Sequence, residues 1–269
     1  MQNSLKILFF LFFLFSSSLF AKELKVVYKI AFVGMAMDYS EYDDNGALFD
    51  TEESSLHEIG GVDMGYHFFF DYEDNSYSEL NFDVLYVSGY TDYTGSLLNS
   101  NNPFGSFTSK TLNDVIDISF RYQNNQQINK LMAISYGLGI GYRYWQRQLS
   151  RTQVEGYEWF SLRPLVGIDF NIVEGTYLNF NAEYQYGLNP SMSASNVSSD
   201  FDLGGANILK LKVGLAYIVT EHIDMYVDAV FERQKITKSN TIEEGTKAYY
   251  EPDSTAYNKY LKVGIAFKY

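Results

Sequence analysis

The last nine residues of the chain alternate between apolar side chains and small or charged ones. The apolar positions are Leu261, Val263, Ile265, Phe267 and Tyr269. Because a period of two is characteristic of a β-strand, this stretch predicts a strand with one apolar face and one face that carries Lys262 and Lys268. Beyond the amino terminus, no run of about 18 apolar residues could form a membrane-spanning helix. A chain with this pattern can therefore cross a bilayer only as a closed barrel, in which every backbone polar group is hydrogen-bonded.

Nine earlier stretches between residues 25 and 232 keep the same alternation, although the mixed sequence of the first, 25–39, does not assign its faces. The connections between the ten stretches alternate in length. Long polar connections cover 40–55, 91–111, 146–155, 189–207 and 237–258, and short ones cover 71–76, 123–130, 171–176 and 220–222. This alternation is typical of outer-membrane barrels. We therefore predict an all-β fold, a ten-stranded antiparallel transmembrane β-barrel with five long extracellular loops and short periplasmic turns, in which the last strand closes the ring against the first.

Aromatic residues cluster near both ends of the predicted strands, as expected for interfacial girdles. On the loop side these residues are Tyr39, Tyr90, Tyr93, Tyr144 and Tyr157. A soluble periplasmic β-sandwich would show the same alternation within its strands. It has no reason to alternate long and short connections so regularly, and the barrel is the better interpretation.

The amino-terminal segment, residues 1–21, predicts a cleaved signal peptide, with one lysine, a short apolar core and a carboxyl end rich in small residues. The barrel domain is then 22–269, exported to the outer membrane of a Gram-negative bacterium. The chain carries a formal net charge of -13, which argues against nucleic acid as a partner. It has no cysteine, and disulfide frameworks and thiolate metal sites are excluded.

Charged residues of both signs fall on the predicted inward faces of the strands. They are Asp63, Asp83, Asp117, Arg121, Arg143, Arg163, Asp169, Glu183, Lys210, Lys212, Asp228, Glu232 and Lys262. A lumen of this width is filled largely by side chains, and nearly balanced charges can satisfy one another by pairing. We interpret the set as a network that fills the lumen, because a selective pore more often shows a ring of one sign. A narrow pore for small solutes is the alternative.

The predicted first and last surface loops are acidic. The acidic residues are Glu41, Asp43, Asp44, Asp50, Glu52 and Glu53 in the first loop, and Glu243, Glu244, Glu251 and Asp253 in the last. We interpret them as a solvated surface. Divalent cations would suit such oxygen ligands, but the spacing lacks that of a calcium loop, and no metal or other cofactor is predicted.

Several barrel-wall segments resemble the omptin surface proteases. The likeness lies in VGLAYIVT at 213–220, MYVDA at 225–229, ER at 232–233 and VGIAFKY at 263–269, and more loosely in 137–144. The resemblance implies the barrel fold. It also implies a protease that activates water with two aspartates in the second surface loop and an aspartate and a histidine in the fourth.

The omptin catalytic set is incomplete in this chain. The second loop offers Asp92, and the fourth offers Asp200 and Asp202 without a histidine. Since a water nucleophile needs a positioned base, proteolysis is not carried over. An omptin-like hydrolase with a rearranged site, drawn from His57 and these three aspartates, is retained as an alternative.

These features lead to one expected function. We expect a non-enzymatic outer-membrane barrel with a charge-filled lumen, whose surface loops serve contacts or envelope integrity. The expected partners are outer-membrane lipid and lipopolysaccharide, together with the barrel assembly machinery. The surface ligand is unknown.

Overall fold

The computed structural model describes residues 24–73, 75–95 and 103–269, and only the backbone of Tyr72. The predicted signal peptide and part of the predicted second loop lie outside these ranges. The described residues form thirteen strands and contain no helix that could cross a membrane. The strands are β1 (Lys25–Tyr42), β2 (Leu48–Glu53), β3 (Ile59–Glu73), β4 (Ser76–Gly95), β5 (Phe107–Asn129), β6 (Met132–Gln148), β7 (Val154–Val173), β8 (Thr176–Ala194), β9 (Phe201–Thr220), β10 (Ile223–Ser239), β11 (Ile242–Glu244), β12 (Lys247–Tyr249) and β13 (Asp253–Lys268).

Ten of these strands form one antiparallel ring. Each of β1, β3 to β10 and β13 pairs with its neighbour along the chain, and β13 returns to pair with β1 from Val27 opposite Lys268 to Tyr42 opposite Asp253. The short strand β2 extends the wall beyond β3 by pairing with β1 and β4, and β11 and β12 form a separate hairpin. The predicted ten-stranded antiparallel barrel is confirmed.

The outer surface of the ring carries the apolar residues of each alternating stretch. Phe32, Phe160 and Ile140 are among the most exposed large side chains, and Leu261, Val263 and Ile265 of the closing strand are exposed beside them. Phe267 is half-buried, and the exposed Tyr269 forms backbone hydrogen bonds with Val26. A continuous apolar exterior suits hydrocarbon, where it costs nothing to leave such groups uncovered by protein.

The strands continue beyond this apolar band at the long-loop end. There the outward positions become polar and exposed, as at Asp38, Glu158 and Lys259, while backbone pairing persists to the ends of β1 and β13. Much of the sequence predicted as surface loop is therefore strand. The reason is that cross-strand hydrogen bonding and inward packing, rather than an apolar outer face, maintain these extensions.

The inward positions differ between the two halves of the barrel. On β1 the odd-numbered residues point inward, which assigns the faces that the sequence left open. The outer half of the lumen is filled by an apolar core, the outer plug, that includes Met35, Met37, Ile59, Val87, Val115, Trp145, Trp159, Phe201, Ile208 and Ile236. The prediction of a charge-filled lumen therefore describes the inner half and not the outer half.

Three tyrosines predicted for the loop-side girdle lie in or against this plug. Tyr39 and Tyr157 are fully buried and Tyr93 is 7% exposed, whereas Tyr90 faces outward. The girdle prediction is wrong for the three because their parity along the strand, and not their nearness to its end, decides which way each points.

Candidate functional site

An open cavity occupies the inner half of the lumen, and we call it the inner cavity. Its volume is about 800 Å³. It reaches the strand ends on the short-turn side at Asn75, Gln127 and Asn171, and its far end is bounded by Leu85 and Val230. The inner cavity therefore opens at the short-turn end of the barrel.

Most charges on the wall of the inner cavity are paired. Asp83 accepts a hydrogen bond from Arg121 Nη2 at 2.5 Å and Glu183 accepts one from Nη1 at 3.3 Å. Lys262 Nζ donates to Asp63 Oδ2 at 2.5 Å. These pairs satisfy part of the predicted charged set within the wall itself.

His67 lies between two carboxylates in the same wall. Its Nδ1 is 3.0 Å from Glu79 Oε1 and its Nε2 is 2.9 Å from Asp83 Oδ1. The ring therefore links β3 to two acidic side chains of β4.

A buried group of charges, the ionic layer, separates the inner cavity from the outer plug. Arg143 donates to Glu232 through Nη1 at 2.8 Å and Nη2 at 3.0 Å, and its Nε lies 3.1 Å from Asp117 Oδ2. Arg163 Nη1 donates to the other oxygen of Asp117 at 2.6 Å. Lys210 Nζ lies 3.5 Å from Glu232 Oε2. The layer closes the cavity with charges that satisfy one another.

The glycines of β6 explain how the arginines fit across the lumen. A Cβ on Gly141 would lie 2.2 Å from Arg163 Cζ, and one on Gly139 would lie 2.5 Å from Arg121 Cγ. Side chains at these two positions would collide with the arginines. The small inward face of β6 is therefore what admits long cations from the neighbouring strands.

Beyond the outer plug, one arginine is surrounded by carboxylates. Arg147 donates to Glu52 Oε1 from Nε at 3.0 Å and from Nη2 at 2.8 Å. Its Nη1 donates to Glu41 Oε1 at 2.6 Å and to Glu155 Oε2 at 3.0 Å. Asp50 Oδ1 lies 4.0 Å from Nη2. All five side chains are buried, although the sequence interpretation placed Glu41, Asp50 and Glu52 on a solvated loop. That interpretation is wrong because β1 and β2 extend as strands and keep their inward parity.

A fifth carboxylate joins this group through Tyr157, whose hydroxyl donates to Glu251 Oε1 at 2.6 Å. We call Arg147 and the carboxylates Glu41, Asp50, Glu52, Glu155 and Glu251 the outer clasp. It lies beyond the apolar band, and it joins β1, β2, β6, β7 and the segment before β13.

The outer clasp holds more acid than base. Burial raises the pKa values of Asp50, Glu155 and Glu251, the neighbouring carboxylates raise them further, and Arg147 only partly offsets both effects. The clasp therefore retains protons at a pH where exposed carboxyls have lost them. Arg143 and Trp145 point inward from β6, and the alternation of the strand continues to Arg147. This alternation is the sequence signal that could have placed Arg147 inside the barrel.

The four weak catalytic candidates are scattered over the outer end. His57 is exposed between β2 and β3, and Asp92 points outward from β4 with its Oδ1 2.7 Å from Lys110 Nζ. Asp200, just before β9, and Asp202, on β9, are exposed five strands further around the ring. Among the described residues, no hydrogen bond or ion pair joins any two of the four, and no group of acidic and histidine side chains has the geometry of a metal site.

The fold can now be compared with known proteins. No protein-family model matches the chain, and no curated protein matches its sequence. Among solved structures, the outer membrane protease OmpT from Escherichia coli matches with a TM-score of 0.55 and 10% identity, over 93% of this chain and 99% of that one. The chain has the outer-membrane β-barrel fold.

Two other solved barrels match with lower scores. The translocator domain of the autotransporter NalP from Neisseria meningitidis matches with a TM-score of 0.44 and 7% identity, over 99% of this chain and 95% of that one. The outer membrane protein OprG from Pseudomonas aeruginosa matches with a TM-score of 0.39 and 11% identity, over 93% and 98%. At these identities the likeness concerns the fold alone. The barrel resemblance to the omptins that the wall segments predict is confirmed at that level.

Proposed function

We propose that this protein is a non-conducting, non-enzymatic barrel of the Gram-negative outer membrane, whose outer end serves surface contacts or envelope integrity. The observation that carries the proposal is the sequence of barriers in the lumen. A solute that entered the inner cavity would meet the ionic layer, then the outer plug, then the outer clasp. Each barrier consists of buried side chains, and most of its charged groups are hydrogen-bonded or ion-paired, so passage would require breaking it.

Export by the signal peptide at 1–21 and insertion by the barrel assembly machinery belong to the same proposal. Lipopolysaccharide is the proposed lipid partner. Arg233, Lys235 and Lys259 are exposed on the outer face of β10 and β13, immediately beyond the apolar band, with Phe231 opposite Lys259 and Arg233 opposite Tyr257. Cations at this height suit lipid phosphates, which pair well with guanidinium and ammonium groups.

Conductance in planar bilayers tests the central claim. We expect no stable current steps from folded protein. Reduced gel mobility after heating confirms that the sample was a closed barrel, and a general porin in the same bilayers confirms that the assay detects open channels. Stable steps from the folded barrel would contradict the proposal and favour the narrow pore.

Peptide cleavage tests the non-enzymatic part of the proposal. We expect no cleavage by the folded barrel with lipopolysaccharide present. Cleavage that is lost in both Asp92→Ala and Asp202→Ala would instead favour an omptin-like hydrolase built from His57, Asp92, Asp200 and Asp202.

Thermal unfolding with added lipopolysaccharide tests the lipid partner. We expect lipopolysaccharide to raise the melting temperature of the unmodified barrel. The combined variant Arg233→Gln, Lys235→Gln and Lys259→Gln should lose most of that increase, whereas Arg151→Gln, an exposed arginine in the β6–β7 connection, should keep it. An equal increase in melting temperature in both variants would contradict lipopolysaccharide contact at Arg233, Lys235 and Lys259.

A further inference from the structure

Aromatic side chains border the mouth of the inner cavity. Phe69, Tyr77 and Tyr177 line the cavity, and the ring centroids of Phe69 and Tyr77 lie 5.8 Å apart. The interfacial aromatic residues of an outer-membrane barrel ordinarily face lipid, at the level of the headgroups. These three rings instead border the lumen, where a molecule inside the cavity can contact them.

Each of the two tyrosines lies beside an amide side chain. Tyr77 on β4 is opposite Asn125 on β5, and Tyr177 on β8 is opposite Asn171 on β7. Directly opposed residues of an antiparallel pair have neighbouring side chains on the same face of the sheet. All four line the inner cavity, so an aromatic ring and an amide lie side by side at two places on its wall.

Amide side chains continue deeper along the wall. They include Asn81, Gln123, Asn179 and Asn181. Gln123 Nε2 donates to Asn125 Oδ1 at 2.9 Å, and Asn181 Nδ2 donates to Asn179 Oδ1 at 3.1 Å. The carbonyl oxygens of Gln123 and Asn181 accept no hydrogen bond from a described residue, and both side chains are half-buried in the wall. These oxygens can therefore accept hydrogen bonds from a ligand.

The chemistry of this lining suits a neutral, hydroxyl-rich ring. Amides are uncharged and carry both donors and acceptors, and a hydroxyl group can pair with either. Sugar rings also have an apolar C–H face, which packs on an aromatic ring. Charged side chains of both signs are intermixed on the same wall, as in the Arg121–Asp83 and Lys262–Asp63 pairs, and do not select an ion of one sign.

The size and access of the cavity suit a short saccharide. A volume of about 800 Å³ falls within the range of ligand pockets. The ionic layer closes the far end of the cavity. A molecule that enters at the short-turn end therefore passes the aromatic rings, reaches the amides and must leave by the same way.

We propose that the inner cavity binds a neutral saccharide, with sugar rings packed on the aromatic residues of the mouth and hydroxyl groups bonded to the amides of β5 and β8. The proposal does not rest on the proposed function, because a cavity that is closed at one end can bind a solute whatever the outer surface contacts.

Calorimetric titration of the folded mature barrel tests this proposal, in a detergent whose headgroup is not a sugar. Cellobiose and chitobiose present the same two rings without and with acetamido groups, and sorbitol presents hydroxyl groups without a ring. We expect at least one disaccharide to bind at millimolar concentration or below, and sorbitol to bind far more weakly. The tighter disaccharide then identifies the class of sugar. No binding of either disaccharide at millimolar concentration would overturn the proposal, and so would equal affinity for sorbitol.

Substitutions of the aromatic residues test the stacking contacts. Tyr77→Leu and Tyr177→Leu should each weaken binding of the tighter disaccharide about three- to tenfold, since each removes an aromatic ring from the mouth. Tyr136→Leu is the matched control, because Tyr136 is exposed on the outer face of β6, and it should bind as the unmodified barrel does.

A substitution of one amide tests the hydrogen bonds. Gln123→Leu should weaken binding about three- to tenfold, since it removes a hydrogen-bond acceptor from the wall. Gln126→Leu is the matched control on the same strand, where Gln126 is exposed and does not line the cavity.

Folding of each variant is checked by its heat-dependent gel mobility. If Tyr77→Leu fails to fold, Tyr77→Phe keeps the ring and should retain binding, while Tyr177→Leu supplies the expected loss. Binding that survives both Tyr177→Leu and Gln123→Leu unchanged in folded protein would place the ligand elsewhere and overturn the site.

Discussion

The two halves of the lumen are built from the same strands and the same alternation, yet they have opposite characters. In the outer half, Trp145 stacks on Tyr157 with ring centroids 4.8 Å apart, and its Nε1 donates to Asn113 Oδ1 at 2.8 Å. In the inner half, Lys29 and Asp169 face an open cavity without partners. The inward orientation of a side chain therefore does not determine whether that side chain is buried or paired. The side chains that meet across the ring decide whether an inward residue is buried against partners or faces the open cavity.

The difference suggests a division of roles. A dry, paired interior resists opening because each group that is exposed or orphaned costs free energy. A hydrated interior tolerates unmatched charge because water can replace a partner. We expect the outer half to determine stability and the inner half to remain available for a ligand.

The largest expected change in the free energy of unfolding comes from replacing the arginine of the outer clasp, and an arginine of the inner cavity provides the comparison. Arg147→Met should lower the free energy of unfolding by about 3–5 kcal/mol, because it leaves the buried carboxylates of the outer clasp without a cation. Arg121→Met should cost clearly less, since the Arg121 side chain is 26% exposed and water can reach its partners. Urea unfolding of the folded barrel measures both. Equal losses would show that the two halves are energetically alike.

A smaller effect is expected from removing one hydrogen-bond donor in each half. Trp145→Phe keeps most of the aromatic packing but orphans Asn113 Oδ1, and should cost about 1–3 kcal/mol. Tyr226→Phe is the matched change in the inner cavity, where no hydrogen bond of the Tyr226 hydroxyl to a described residue is found, and it should leave the free energy of unfolding nearly unchanged. A large loss of unfolding free energy in Tyr226→Phe would contradict the view that the inner half contributes little to stability.

The outer clasp should also make stability depend on pH. Because the pKa of Glu251 is raised in the folded state, the folded barrel binds more protons than the unfolded chain, and stability falls as the pH rises above 4.5, the ordinary value for glutamate. Glu251→Gln should weaken that dependence and stabilise the barrel near neutral pH by about 1 kcal/mol. Unfolding across a pH series measures this. Glu53→Gln, an exposed neighbour, is the control, and an unchanged pH profile in Glu251→Gln would show that Glu251 does not titrate with the clasp.

The smallest effect is expected where a charge has no partner to lose. Lys29→Met should change the free energy of unfolding by no more than about 0.5 kcal/mol in the absence of ligand. Denaturant titration under the conditions used for Arg147→Met provides the comparison. A large loss of unfolding free energy would mean that Lys29 makes a stabilising interaction within the wall.

Much of the fold could be predicted from the sequence. The alternation in the wall and the alternating connection lengths predict ten antiparallel strands and their closure, since both signals are local. The predictions failed at the outer end. Glu41, Asp50 and Glu52 have the composition of a loop, but they lie on extensions of β1 and β2, which pair with each other and with β13 and β4. The catalytic candidates were chosen by analogy of loop position. The structure places His57 in the connection before β3 and Asp202 on β9, with no hydrogen bond or ion pair between them.

The sequence by itself determined the barrel, because a period of two fixes which residues face out along a single strand, as it does for Leu261, Val263 and Ile265. Only the tertiary structure decided what the inward residues meet. Arg147 finds Glu52 across 95 positions of chain, and Arg143 finds Glu232 across 89. Such pairs depend on how the ring closes and on the offset between strands, which no local pattern contains. For the same reason, Lys29, Asp169 and Lys212 converge on one cavity only when the ring has closed.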